Sequence, residues 1–219
     1  MTQAGTVQRR RGRAQVTDRG ELGRIGLDLM IERGFDAVSV EDIASAAGIA
    51  RRTYFSYFSS KSEVVWGDFD GLLARFRADL DGTDTATSAI ESIREAVRRF
   101  NRIPDAEIVR HRRRMRMIIE TPQLVAHSAV RYADWRAVIV DYLARRERVA
   151  RSSVVPVAVS WACLGVSMAA YEQWVAEPDA DLATLIDEAF RGLRDAFAEV
   201  LDPDPAQPRA SAERRPPDH

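Results

Sequence analysis

The chain has 219 residues, of which 46% are hydrophobic and 30% charged, proportions that suit a globular protein of one mid-sized domain or two small ones. Its single cysteine, Cys163, excludes an intrachain disulfide, and a formal net charge of −1 gives no whole-chain signal for a nucleic-acid partner. The charge is segregated, however. Residues 98–116 hold eight arginines against Asp105 and Glu107, while residues 172–204 hold ten acids against Arg191 and Arg194. Segregation of this kind points to anionic partners at particular places.

In chain order, residues 1–17 form a basic arm with Arg9, Arg10, Arg11 and Arg13, predicted flexible and lacking the apolar stretch of a secretory signal. A first helix is predicted from Asp18 to Arg33, with Leu22, Ile25, Leu29 and Met30 on one face and Gly34 at its end. Ser39 with Asp42 is an acidic capping box that opens a short helix, Val40 to Ala47, closed by Gly48. A third helix is predicted from Arg51 to Phe58. Ser60 with Glu63 is a second capping box, opening one long helix on which Val65, Phe69, Leu72, Phe76 and Leu80 keep helical spacing. After a break at residues 81–84 come helices at 86–101, 105–120, 121–147, 153–177 and 181–201, and then a proline-rich tail over 202–219, predicted disordered. The fold class expected is all-α.

Val154 to Tyr171 is 18 residues without a charge, the lower edge of a membrane span. Pro156, Ser160, Gly165 and Ser167 dilute it, and a helix apolar all round also suits a buried dimer interface, the reading preferred here. It implies a homodimer through the last two helices, with Leu164, Met168, Tyr171, Ile186, Phe190 and Leu193 at the interface, no membrane partner, and a cytoplasmic protein. Cys163, in an apolar run, is a buried hydrophobe.

The informative block is Ser39 to Lys61, SVEDIASAAGIARRTYFSYFSSK. Two short helices meet across Gly48. Ala44 and Ala47 permit close approach, and Ile43, Ile49, Tyr54 and Phe58 can pack inside. Arg51, Arg52 and Thr53 are then left at the exposed N-terminal end of the second helix, where a recognition helix meets base edges in the major groove. Lys61 stands in the first turn of a helix, which already favours an anion, and Tyr57 can donate to a phosphate. Surface charge on an ordinary helical hairpin is the plain alternative.

Taken together, Ser39, Asp42-Ile43-Ala44, Ala47-Gly48-Ile49, Tyr57-Phe58 and Lys61, with Gly34-Phe35 upstream, resemble the TetR family. The resemblance implies a DNA-binding domain over 18–64, a ligand-binding and dimerisation domain over 65–201, and double-stranded operator DNA as partner. It implies base contacts from Arg51, Arg52, Thr53 and Phe55, and backbone contacts from Ser39, Tyr57 and Lys61. Two positions depart from the pattern. Ala50 stands where a capping serine is usual, and Gly26 where alanine is usual, at up to about 1 kcal/mol of helix propensity.

Farther along, residues 65–70, 111–116, Thr121-Pro122 and 131–136 resemble regulators of mycofactocin-system genes, whose C-terminal domain implies an acyl-CoA-like effector. Such a ligand needs cations for its phosphates and an apolar tunnel for its chain. Arg110, Arg113 and Arg114 could supply the first; Met115, Ile118, Trp135, Trp161 and Met168 could line the second. The competing reading makes these aromatics plain core and the arginines an ion-paired face. A drug-responsive regulator of efflux genes and a helical module without DNA binding are the alternatives. No phosphate loop, metal spacing or nucleophile motif supports an enzyme, and no cofactor is expected.

Overall fold

Asp18 caps the first helix of the computed structural model, accepting a hydrogen bond from the Glu21 N–H at 2.8 Å. The structure describes residues 18–84 and 86–201, with the side chains of 196–201 excepted, so the arm and the tail lie outside it. The described residues form ten α-helices and one 3-10 turn, with no strand. They are α1 (Arg19–Arg33), α2 (Val40–Ala47), α3 (Arg51–Tyr54), α4 (Lys61–Trp66), α5 (Phe69–Asp81), α6 (Ala89–Phe100), α7 (Ile108–Glu120), α8 (Pro122–Glu147), α9 (Val154–Ala176) and α10 (Leu182–Leu201).

Local chemistry sets most boundaries. The Ser39–Asp42 capping box has both halves: the Asp42 N–H donates to Ser39 Oγ at 3.1 Å, and the Ser39 N–H to Asp42 Oδ2 at 2.8 Å. Gly48 adopts φ 72°, ψ 27°, and Ile49 N–H returns to the Ala44 carbonyl at 2.9 Å, closing α2. Ser88 caps α6, so that helix starts three residues later than its sequence suggested. Thr121 accepts from Leu124 and Val125, turning the chain from α7 into α8.

Two expectations are corrected. The second capping box is split: Glu63 N–H donates to Ser60 Oγ, but the Glu63 carboxylate takes the N–H and hydroxyl of Ser59 instead of the Ser60 N–H. The long helix predicted from Lys61 is broken after Trp66. Gly67 has φ 57°, ψ −136°, a backbone region that side chains disfavour, and Asp68 then caps α5 through Gly71 N–H at 3.1 Å. Apolar spacing continues through the break, so periodicity alone could not reveal it.

The chain divides into two units. Of the described residues, the first takes 18–74, Ile103–Trp135 and Trp174–Pro178; the second takes 75–84, 86–102, Arg136–Gln173 and 179–201. In the first unit, Leu22, Met30, Val38, Ile43, Tyr54, Phe58, Val64 and Val65 are at most 2% exposed. The buried face of α1 is Leu22, Gly26, Leu27 and Met30, with Ile25 and Leu29 only half-buried. In the second unit, α6 and α10 pack together; Ile90, Ile93, Val97, Ile186 and Phe190 are buried, and Arg94 joins the helices by pairing with Glu91 and Asp187. Helix α9 is long and apolar enough, by length and composition, to cross a membrane, with a mean hydropathy of 1.7 in its most apolar window.

Candidate functional site

Four of the residues expected to meet DNA sit on or beside α3. Tyr54 is wholly buried and donates its hydroxyl to the Ser60 carbonyl at 3.0 Å, and Phe58 lies 5.8 Å from it, ring to ring. This apolar floor leaves Arg51 and Arg52 exposed, Thr53 half-buried and Phe55 44% exposed, on one short ridge. The Arg51 guanidinium lies 5.2 Å from the Phe55 ring centre and pairs through Nε with Glu41 at 2.7 Å. Both partners of that pair are exposed, so it holds the arginine weakly.

Regular α-helix spans only Arg51–Tyr54, not Arg51 to Phe58. Ala50 offers no side-chain cap, and Ser56 Oγ donates to the Thr53 carbonyl at 2.6 Å, competing with the helical ladder. Tighter turns carry the chain through Tyr57 and Phe58. Arg19 braces this exit: it donates to the Tyr57 carbonyl at 2.7 Å and to Glu63 at 2.6 Å, and lies 4.5 Å above the Phe58 ring. Its bracing role had no sequence signal, because a lone arginine in an N-terminal turn reads as solvated charge.

The backbone-contact candidates are already engaged within the chain. Lys61 Nζ donates to the carbonyls of Phe35 at 2.6 Å and Val38 at 2.8 Å and sits 4.0 Å over the Phe35 ring. It staples the turn between α1 and α2, leaving one of an ammonium's three N–H groups for a phosphate. Burial lowers its pKa, with Asp36 opposing. Ser39 Oγ donates to Asp42 at 2.5 Å, and Tyr57 is half-buried.

The arginine run on α7 is mostly satisfied internally. Arg110 pairs with Asp28 at 2.9 Å and Glu107 at 3.1 Å. Arg112 lies 4.4 Å over Trp174 and donates to the Trp174 and Glu177 carbonyls, and Arg116 donates to the Val175 carbonyl at 2.8 Å. The cations thus cap the C-terminal end of α9, where carbonyls lack helical partners. Arg114 donates to His111 Nδ1 at 2.8 Å; since arginine cannot accept, the imidazole must be neutral, and burial with Arg114 lowers its pKa to about 3. Arg113 is exposed.

Met115, Ile118 and Trp135 are buried in the first unit, Met168 is half-buried in the second, and Trp161 is 55% exposed with Arg136 stacked 3.4 Å from its ring centre. Cys163 is fully buried, its thiol raised to about 12 by burial. Among the described residues no group of three His, Cys, Asp or Glu side chains could hold a metal.

Residues 26–65 match the family described as bacterial regulatory proteins, tetR family, and residues 87–198 match the MftR C-terminal domain. The chain is 40% identical over 179 residues to the candidate mycofactocin biosynthesis transcriptional regulator MftR of Mycobacterium tuberculosis, covering 82% of this chain and 90% of that one. Among solved structures it resembles SmeT, the repressor of the Stenotrophomonas maltophilia multidrug efflux pump SmeDEF, with a TM-score of 0.58 at 18% identity over 82% of this chain and 90% of that one. It also resembles Thermus thermophilus FadR, a repressor solved with lauroyl-CoA, with a TM-score of 0.56 at 19% identity over 88% of this chain and 100% of that one. At these identities the two structures show the fold.

Proposed function

Because the chain belongs to the TetR family of transcriptional regulators and carries the MftR C-terminal domain, we propose that it is a cytoplasmic repressor that binds a palindromic operator as a homodimer and responds to a long-chain acyl-CoA. The family is one of regulators, not enzymes. The observation that carries the DNA reading is the ridge of Arg51, Arg52, Thr53 and Phe55 held outward over the buried Tyr54 and Phe58. Arginines there can each donate two hydrogen bonds to a guanine, and Phe55 can meet a thymine methyl. Ser39, Tyr57 and the third N–H of Lys61 lie beside them for the phosphate backbone.

The homodimer reading is supported by α9. Val154, Ala158, Trp161, Gly165 and Ala169 are all exposed and recur at helical spacing, so they line one face. This differs from the interface expected from sequence: Tyr171, Ile186, Phe190 and Leu193 are already buried within the chain. A small-residue face with one tryptophan suits close packing against a second copy, not a bilayer.

The acyl-CoA reading is supported by the MftR C-terminal match and by the likeness to FadR with lauroyl-CoA. Arg110, Arg112, Arg114 and Arg116 make hydrogen bonds or ion pairs within the chain, and Arg113 and Arg116 are the exposed members of the run, within reach of a ligand phosphate. Calorimetry with acyl-CoAs of rising chain length tests it. Each methylene is worth about 0.8 kcal/mol, so affinity rises roughly fourfold per carbon until the tunnel ends, and free coenzyme A binds weakly. Operator affinity shifts by about 1–3 kcal/mol if the ligand prefers one DNA-binding state. No binding, or binding that leaves the operator complex unchanged, sinks the effector and leaves the regulator standing.

A further inference from the structure

Helix α4 ends on Trp66, which is 6% exposed. Its ring meets Phe69 edge-on at 5.4 Å, Tyr132 edge-on at 5.8 Å and His127 at 6.2 Å, all within the first unit. Three of these rings carry polar atoms that are buried without a hydrogen-bond partner in the chain: Trp66 Nε1, His127 Nε2 and the Tyr132 hydroxyl. Proteins seldom leave one such atom unsatisfied, and here three fall in one aromatic cluster. Ser128, whose proximity partly offsets the effect of burial on the Tyr132 phenol, gives its own hydroxyl to the Val125 carbonyl at 2.7 Å.

The three atoms specify what would complete them. An indole N–H only donates, and the Tyr132 phenol, raised to about 12 by burial, stays protonated and donates as well. His127 is held toward neutrality by burial and by Arg131, so its Nε2 can donate or accept. The walls are flat rings. Arg131 stands at the edge of the cluster, 5.7 Å from the Phe69 ring centre and paired with Asp70 at 3.0 Å.

We propose that Trp66, His127 and Tyr132 form a binding site for a flat aromatic molecule carrying an acceptor oxygen, as a carboxylate or a ketone. The ring lies against Trp66 and Phe69, and the oxygen takes the Trp66 and Tyr132 protons. The site lies within the first unit, where a Cβ at Gly67 would come 3.9 Å from an Arg114 guanidinium nitrogen. It adjoins Gly67, where α4 breaks, while the neighbouring Val64 and Val65 are buried, Val64 against Gly26 of α1. That occupancy alters DNA binding rests on the regulator reading above; the binding itself does not.

The test uses the full chain without DNA. Its four tryptophans give four indole N–H signals, and Trp66→Phe, which removes the N–H and keeps a ring, assigns one of them. Benzoate and acetophenone are the anionic and neutral probes, and toluene is the probe without an acceptor. The proposal expects benzoate or acetophenone to move the Trp66 signal and toluene to leave it in place. Trp66→Phe and Tyr132→Phe should each weaken the effective probe roughly tenfold by calorimetry, with unchanged helical circular dichroism. Benzoate alone would identify the oxygen as a carboxylate, and acetophenone alone as a ketone. A Trp66 signal unmoved by every probe, or affinity equal in wild type and Tyr132→Phe, overturns it. Operator binding in the absence of probe reports separately on the regulator reading.

Discussion

Gly26 shows how a residue that looks costly in a sequence can be required by packing. In an exposed helix it would forfeit up to about 1 kcal/mol against alanine. In the structure a Cβ there would lie 2.9 Å from Val64 Cγ1 and 3.2 Å from Ile43 Cγ2, closer than side chains pack. α1 therefore approaches α2 and α4 as it does because nothing projects from position 26. Overpacking costs about 1–3 kcal/mol, which exceeds the propensity gain, so Gly26→Ala should lower the thermal midpoint by about 2–4 °C in a melt followed by circular dichroism. An equal or higher midpoint would show that the helices shift freely. Lys61 teaches the complementary lesson. The family pattern marks the position, but sequence could not distinguish a phosphate ligand from a staple on two carbonyls 23 and 26 residues away.

At the scale of elements, caps were legible and breaks were not. Ser39 with Asp42 and Gly48 announce α2 at both ends because each acts through neighbours in sequence. The break at Gly67 and the early end of α3 depend on a glycine dihedral and on a serine bonding backward, neither of which disturbs apolar spacing. The α7 run was legible as charge but not as structure: its arginines cap α9 across about 60 residues of chain. Their neighbour His111 is half-buried beside Trp174 and pinned neutral by Arg114. Its folded pKa of about 3 lies below the ordinary 6.5, so the unfolded chain binds the extra proton between those values, and stability falls as pH drops through that window. His127 is lowered too and acts in the same direction. Stability should therefore fall between pH 6.5 and 5, before most carboxylates titrate, by at most about 1.4 kcal/mol per pH unit for His111, and the thermal midpoint should fall with it. His111→Gln should flatten part of that slope. A wild-type midpoint constant over the same range would contradict the assignment.

At the scale of the whole molecule, the all-helical TetR-type fold was legible from one block of residues, 39–61, because its turn, small residues and exposed cations are local. An effector site is not legible in the same way, since an arginine run and scattered aromatics look alike whether they bind a ligand or each other. The proposed dimer face lies between these cases: α9 is marked by its lack of charge, yet only burial separates Trp161 and Gly165 from Tyr171. A Cβ at Gly165 meets nothing within 4 Å in the single chain, so Gly165→Arg is tolerated by the protomer and obstructs a second copy. Light scattering should find wild type dimeric and this variant monomeric at micromolar concentration; a dimer in both would move the interface elsewhere. The central claim is that α3 reads sequence from a symmetric pair of protomers. Selection of bound duplexes from a randomised DNA library tests it most directly. Wild type should enrich an inverted repeat whose half-sites lie about one helical turn apart or a multiple of it, and Arg52→Ala should lose preference at defined positions within each half-site. Enrichment of no sequence, or of one without two-fold symmetry that Arg52→Ala selects equally well, would contradict it.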